Sequence, residues 1–175
     1  MAKHAAVSRL LRVALAALVV GSPGGTSAAQ EHCPSTPGQR TLDLVNEERR
    51  LHALPALEAD TMLSWAARLH AEDMARRGTV SHQGSDGSDP SQRVTAVGYS
   101  WIWVGENIAA GQSSPDEVVA GWRRSEAHRS NILGPDFTSA GVAHAESSVG
   151  EFGTYWVMVY AAADPPSAAV VRCHP

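Results

Sequence analysis

Lysine is almost missing from this chain: Lys3 is the only one, so every strongly basic side chain beyond the first few residues is either arginine or nothing. With 14 basic against 18 acidic residues and no basic run, the charge pattern excludes nucleic acid or an anionic membrane surface as the main partner. Cysteine is nearly as scarce. Cys33 and Cys173 are the only two, and a bond between them would leave no cysteine for nucleophilic or zinc-thiolate chemistry.

Long apolar runs are missing as well. After Val13 to Val20 no stretch approaches the length needed to cross a bilayer, which argues against a transmembrane anchor in the mature chain. Familiar catalytic signatures are absent. There is no Gly-x-Ser-x-Gly elbow, His70 and Glu72 do not form His-Glu-x-x-His, and Ser85 to Asp89 lacks the ligand spacing of an EF-hand. No internal repeat or low-complexity domain occurs.

What is present begins with a leader. Lys3, Arg9 and Arg12 precede the apolar run, and small residues ending Thr26-Ser27-Ala28-Ala29 follow it, the order of a secretory signal over residues 1–29. Its removal takes away those three positive charges and moves the formal net charge from −4 to −7. The expected product is secreted and extracellular, with a lead-in at 30–39 and a single domain over 40–175. In that oxidising compartment Cys33 and Cys173, near opposite ends, are expected to pair, the alternative being two free thiols.

Leu42, Val45 and Leu51 mark one side of a helix from Thr41 to His52, with Glu47, Glu48, Arg49 and Arg50 read as a solvated face. A second helix starts at Asp60 or Thr61 and runs to Gly78, its core side read from Met62, Trp65, Ala66, Leu69 and Met74. Asp89-Pro90 starts a short helix ending at Gly98. Trp101 to Ala110 reads as a buried strand, and Trp101, Trp103 and Trp122 as core packing. Ser139 to Ser147 and Thr154 to Ala162 alternate around Val149 to Gly153 as a hairpin, with His144 facing outward. Helices on both faces of a small antiparallel sheet give an α+β class, a three-layer α-β-α sandwich.

Val104 to Leu133 carries the chemistry. Gly105, Glu106 and Asn107 interrupt the apolar strand, and a carboxylate there requires a partner, either an arginine or main-chain donors, or the polar groups of a cleft. Ser114-Pro115-Asp116-Glu117 is a capping box that starts a helix at Pro115. Ser125 caps a further turn to about Leu133, stopped by Gly134-Pro135. Within that turn Ser125 and His128 share a face while Glu126 points roughly 200° away, so His128 rather than Glu126 is expected to face Glu106. His82, on the exit from the second helix, is by itself a weak signal.

Together these residues resemble the CAP superfamily (cysteine-rich secretory proteins, antigen 5 and pathogenesis-related 1), in its bacterial secreted branch. The matching segments are Leu44 to Arg49, Ser81-His82, Gly98-Tyr99, Val104 to Ala109, Trp122, Ser125 to Leu133, and Gly141-Val142 followed by Tyr155 to Val157. The resemblance implies an α-β-α sandwich and a cleft in which His82, Glu106 and His128 converge, beside Ser125. It further implies that this cleft can hold a divalent cation. His82 and His128 are then the metal ligands, and Glu106 is either a ligand or the residue that orients them.

Two departures stand out. Ser125 occupies the place of a glutamate in animal members, and Asp136 that of a histidine before Phe137-Thr138. The extra cysteines of the loop linked to sterol binding in some members are also absent.

The function expected is an extracellular binding or interaction domain, a monomer whose partner is a protein or small-molecule ligand, with zinc or magnesium as the candidate cation. A metal-dependent, peptidase-like hydrolase using the same cleft is the first alternative, with no catalytic residue assigned. A carrier of apolar ligands such as lipids is the second.

Overall fold

The computed structural model describes residues 33–164. The leader at 1–29 and Cys173 lie outside the described residues, and the expected Cys33–Cys173 bond therefore does too.

The first helix, α1 (Thr36–Leu51), starts earlier than its apolar pattern indicates. Ser35 is its N-cap and proline occupies the first turn, so residues 36–39 of the expected lead-in are already helical. The proline that reads as a loop breaker is instead a helix starter, because the first turn needs no amide hydrogen from it.

The buried side of α1 is set by Leu42, Val45 and Arg49, spaced three and four apart. Arg49 therefore belongs to the core face and not to the solvated one, and its relative exposure is 0%. Its charge is met by four main-chain carbonyls. The side chain donates from Nε to Pro55 O at 2.8 Å, from Nη1 to Ile132 O at 2.9 Å and Gly134 O at 2.8 Å, and from Nη2 to Phe137 O at 3.3 Å. Leu51, expected on the apolar side, is exposed.

A two-residue strand, β1 (Glu58–Ala59), precedes α2 (Thr61–Arg77), which Asp60 caps and Gly78 ends in the left-handed region. The face that α2 buries consists of Leu63, Ala66, Ala67, His70, Ala71 and Met74. Leu69, expected in the core, is exposed. A Cβ at Gly141 would stand 2.0 Å from the Leu63 carbonyl carbon, so glycine there lets the helix backbone lie almost on the sheet. Met62 and Trp65 are part-buried, Met62 packing against the core from its margin.

The rest follows in order as α3 (Pro90–Ala96), β2 (Trp101–Ala110), α4 (Pro115–Arg124), α5 (Glu126–Ile132), β3 (Ser139–Glu146) and β4 (Thr154–Ala163). A complete capping box closes α3 through Asp89 and Gln92. At α4 the box is only half made: Ser114 Oγ accepts from the Glu117 amide, while the Glu117 carboxylate reaches one residue further back, to the amide and hydroxyl of Ser113.

The sheet order is β1-β3-β4-β2. β3 and β2 flank β4 antiparallel, and short β1 adds one parallel pair through Glu58 and Ala59. Strand β4 is buried on both sides with a period of two. Tyr155, Val157, Val159 and Ala161 pack with α2, while Trp156, Met158 and Tyr160 pack with α1, α4 and α5. The result is the three-layer α-β-α sandwich, with two cores sharing one sheet. Each fully buried Leu, Val or Met in them contributes about 1.5–3 kcal/mol.

Strand β2 lies at the sheet edge and is not buried throughout. Trp103 is 57% exposed and Ile102 is also exposed, so Trp103 is a surface residue, whereas Trp122 is buried and Trp101 packs against the core. A register shift between Trp101 and Trp103 turns this part of the strand outward. His144 pairs with Trp156 across β3 and β4 and stacks on its ring at 4.7 Å between centroids.

Candidate functional site

Successive residues of a strand point to opposite faces, and the Gly105-Glu106-Asn107 run uses this fully. Glu106 pairs in register with Val159 and shares the α2 face, whereas Asn107 pairs with Met158 and shares the α5 face. Gly105 supplies room. A Cβ there would lie 2.9 Å from both Asn131 Oδ1 and Phe137 Cζ, so glycine lets the end of α5 close on the strand.

The Asn107 amide nitrogen donates to His128 O at 3.0 Å and lies 3.1 Å from the Tyr160 hydroxyl. Its oxygen accepts from Asn131 Nδ2 at 2.9 Å, and complete burial pushes the Tyr160 phenol far above its ordinary value. The free edge of β2 is closed by side chains from the helices. Asn131 Nδ2 donates to Glu106 O and Trp122 Nε1 to Ile108 O, each at 3.2 Å.

On the other face the Glu106 side chain is nearly sealed from solvent. Oε1 accepts from His82 Nδ1 at 2.8 Å, and Oε2 accepts from Arg93 Nη2 at 2.7 Å. His70 Nε2 stands 3.9 Å from Oε1 and 2.8 Å from Ser81 O. The partners of this carboxylate are therefore His82, Arg93 and His70.

The expectation that His128 faces Glu106 takes a different form. The His128 backbone carbonyl accepts from Asn107, and its ring is not among the partners of the Glu106 carboxylate. Burial, then the nearby His82, holds its imidazole below the ordinary value. His82 is carried by the loop after α2 and His128 by α5. Ser125 ends α4 and caps α5, its hydroxyl accepting from the His128 amide at 3.5 Å, so it sets the helix that bears His128. Glu126 is exposed beside Arg129, Ser130 and Leu133.

Two members of the group escape the sequence reading. His70 is fully buried on α2, and burial lowers its imidazole pKa against the opposing pull of Glu106. Its spacing of four from both Ala66 and Met74 is the signal that a polar residue sits on an apolar face. Arg93 carries no such signal, being one charge on a short helix. From α3 it also donates to His82 O at 3.0 Å and to Ser88 O at 2.8 Å. Asp73 accepts from the Ser85 amide at 3.0 Å, so the loop bearing His82 is held at residues 81, 82, 85 and 88.

Glu106 has both oxygens engaged within the protein. Among the described residues no group of three or more His, Cys, Asp or Glu stands where it could hold a metal ion. The cleft therefore offers two imidazoles, with a carboxylate bonded to the ring of one of them.

A three-layer sandwich whose edge strand buries a carboxylate between His82 and Arg93 is the class that this fold and site define. The CAP family, the cysteine-rich secretory protein family, matches residues 42–160, and the chain belongs to it. Protein YkwD of Bacillus subtilis is 38% identical over 122 residues, covering 70% of this chain and 46% of that protein. An extracellular SCP-domain protein from Bacillus anthracis superposes with a TM-score of 0.64 at 30% identity, covering 71% of this chain and 40% of that one. An outer surface protein of Borrelia burgdorferi shares the fold with a TM-score of 0.66 at 21% identity, covering 72% of this chain and 92% of that one. The chain thus spans less than half the length of the two Bacillus proteins. Among the described residues no helix is long and apolar enough to cross a membrane.

Proposed function

We propose that this chain is a secreted binding domain whose cleft takes a divalent cation on His82 and His128 and presents it to an extracellular partner. The observation that carries the reading is the 2.8 Å bond from His82 Nδ1 to Glu106 Oε1. A carboxylate oxygen only accepts, so Nδ1 carries the proton and Nε2 is left as the ligating nitrogen. A carboxylate behind a metal-binding imidazole fixes its tautomer and raises its basicity.

The lowered pKa of His128 keeps the second imidazole in its neutral, ligating form near pH 7. Two imidazoles suit zinc better than magnesium, which prefers oxygen ligands. Glu106 is read as the orienting residue and not as a ligand. With two protein ligands the remaining positions are open to groups of a partner, which favours binding over a closed structural site. A bound ion would act as a Lewis acid, so a metal-dependent hydrolase remains the alternative use of the same residues.

Calorimetric titration of residues 30–175 with Zn²⁺, Mg²⁺ and Ca²⁺, beside a His82→Ala/His128→Ala variant, tests the proposal. Saturable one-to-one zinc binding that disappears in the variant is expected. Absence of zinc binding to the unaltered domain, or equal binding to both proteins, overturns it.

A further inference from the structure

We propose that Arg93 is the positioning residue of the cleft: its guanidinium fork fixes the Glu106 carboxylate and the His82 main chain together, and so dictates which nitrogen of His82 is protonated. The proposal deepens the cleft reading above and rests on it only for its consequence in metal binding. Arginine donates and never accepts. Its Nη2 holds Glu106 Oε2 at 2.7 Å and His82 O at 3.0 Å, while Nη1 holds Ser88 O at 2.8 Å.

One oxygen of the carboxylate is thereby committed to Arg93, and the other is aimed at His82 Nδ1 at 2.8 Å. The same side chain anchors the backbone that carries His82, so the ring and its acceptor share one support. Arg93 is itself mostly buried, with 11% of its side chain exposed, as a part of the framework and not as a surface ligand. A fork of this kind cannot be reproduced by lysine, which offers a point charge on a flexible stem.

The test reads the His82 tautomer directly, from ¹⁵N shifts and long-range ¹H–¹⁵N couplings of the metal-free, labelled domain above pH 8. In the unaltered protein Nδ1 is expected to be the protonated nitrogen. In Glu106→Gln the amide oxygen must turn to Arg93, which can only donate. The amide NH₂ then faces His82 Nδ1, which must become an acceptor, and the tautomer inverts to Nε2–H. In Arg93→Met both tautomers should appear, and Arg93→Lys should restore the native one only in part. If Arg93→Met does not fold, Glu106→Gln, which preserves shape, still decides the matter.

Zinc titration of the same variants should show affinity weakened about 10- to 100-fold with stoichiometry kept, the usual cost of losing a residue behind the ligand. A native tautomer retained in either Arg93→Met or Glu106→Gln overturns the inference. Failure of zinc to bind the unaltered protein overturns the proposed function alone, because the tautomer is read without metal.

Discussion

Replacing Arg49 by methionine is the most informative test of how this domain is held together. The guanidinium is wholly buried on α1, and its four hydrogen bonds reach three separate segments: the turn after α1 at Pro55, the end of α5 at Ile132 and Gly134, and the approach to β3 at Phe137. A hydrogen bond to a charged group contributes about 1.5–3 kcal/mol, but four on one side chain do not add, and removing the charge also relieves its desolvation. What remains is set by carbonyls left without donors. The net loss expected for Arg49→Met is therefore about 3–5 kcal/mol, a large share of the roughly 5–15 kcal/mol that stabilises an ordinary domain.

For a chain of this size that corresponds to a fall in Tm of about 10–20 °C. Urea unfolding followed by tryptophan fluorescence should show a lower midpoint with an unchanged slope. Arg49→Lys should lie between the two, since one ammonium cannot span three segments. A methionine variant within about 1 kcal/mol of the original would falsify this reasoning, by showing that those carbonyls find water instead.

Two further predictions concern solution conditions. His70 and His128 are both held below the ordinary value of 6.5, chiefly by burial, so as the pH falls below about 6.5 the unfolded chain takes up protons before the folded one. Stability should decline from pH 7 to pH 5 and be recovered on returning, and a Tm that is flat over that range counts against both assignments. Closing Cys33 to Cys173 should add about 4–5 kcal/mol in the chain-entropy model, so reduction or Cys33→Ser should lower the urea midpoint. Mass spectrometry showing two free thiols in the purified protein removes that contribution.

The layered fold was legible because its signals are local: caps at Asp60, Ser114 and Ser125 and the helix stop at Gly78, whereas the alternation expected of β4 is replaced by burial on both faces. Strand β1 was not, since two residues carry no period, and its pairing with Ser139 and Ala140 depends on where β3 ends up. Arg49 was misplaced by charge, though its spacing from Leu42 and Val45 put it on the apolar stripe. On α2, Ala66 and Met74 are core as expected, but the buried stripe runs through Leu63, Ala67, His70 and Ala71, and the size of Trp65 and Leu69 draws the expectation off it. In the cleft, motif residues Glu106 and His82 are bonded to each other, while Arg93 could not be found from periodicity, because its role is a meeting of α3, a loop and β2.

The placement of Glu106 and Asn107 on an edge strand has a mechanical consequence. Glu106 faces the α2 layer and Asn107 the α5 layer, and at the outer side of β2 the layer of α4 and α5 is tied to its carbonyls through Trp122 and Asn131. Inner strands cannot separate without unzipping a ladder of backbone bonds. Here the layer of α4 and α5 is held to β2 by individual side-chain ties, which can be lost one at a time while the β2–β4 ladder stays whole.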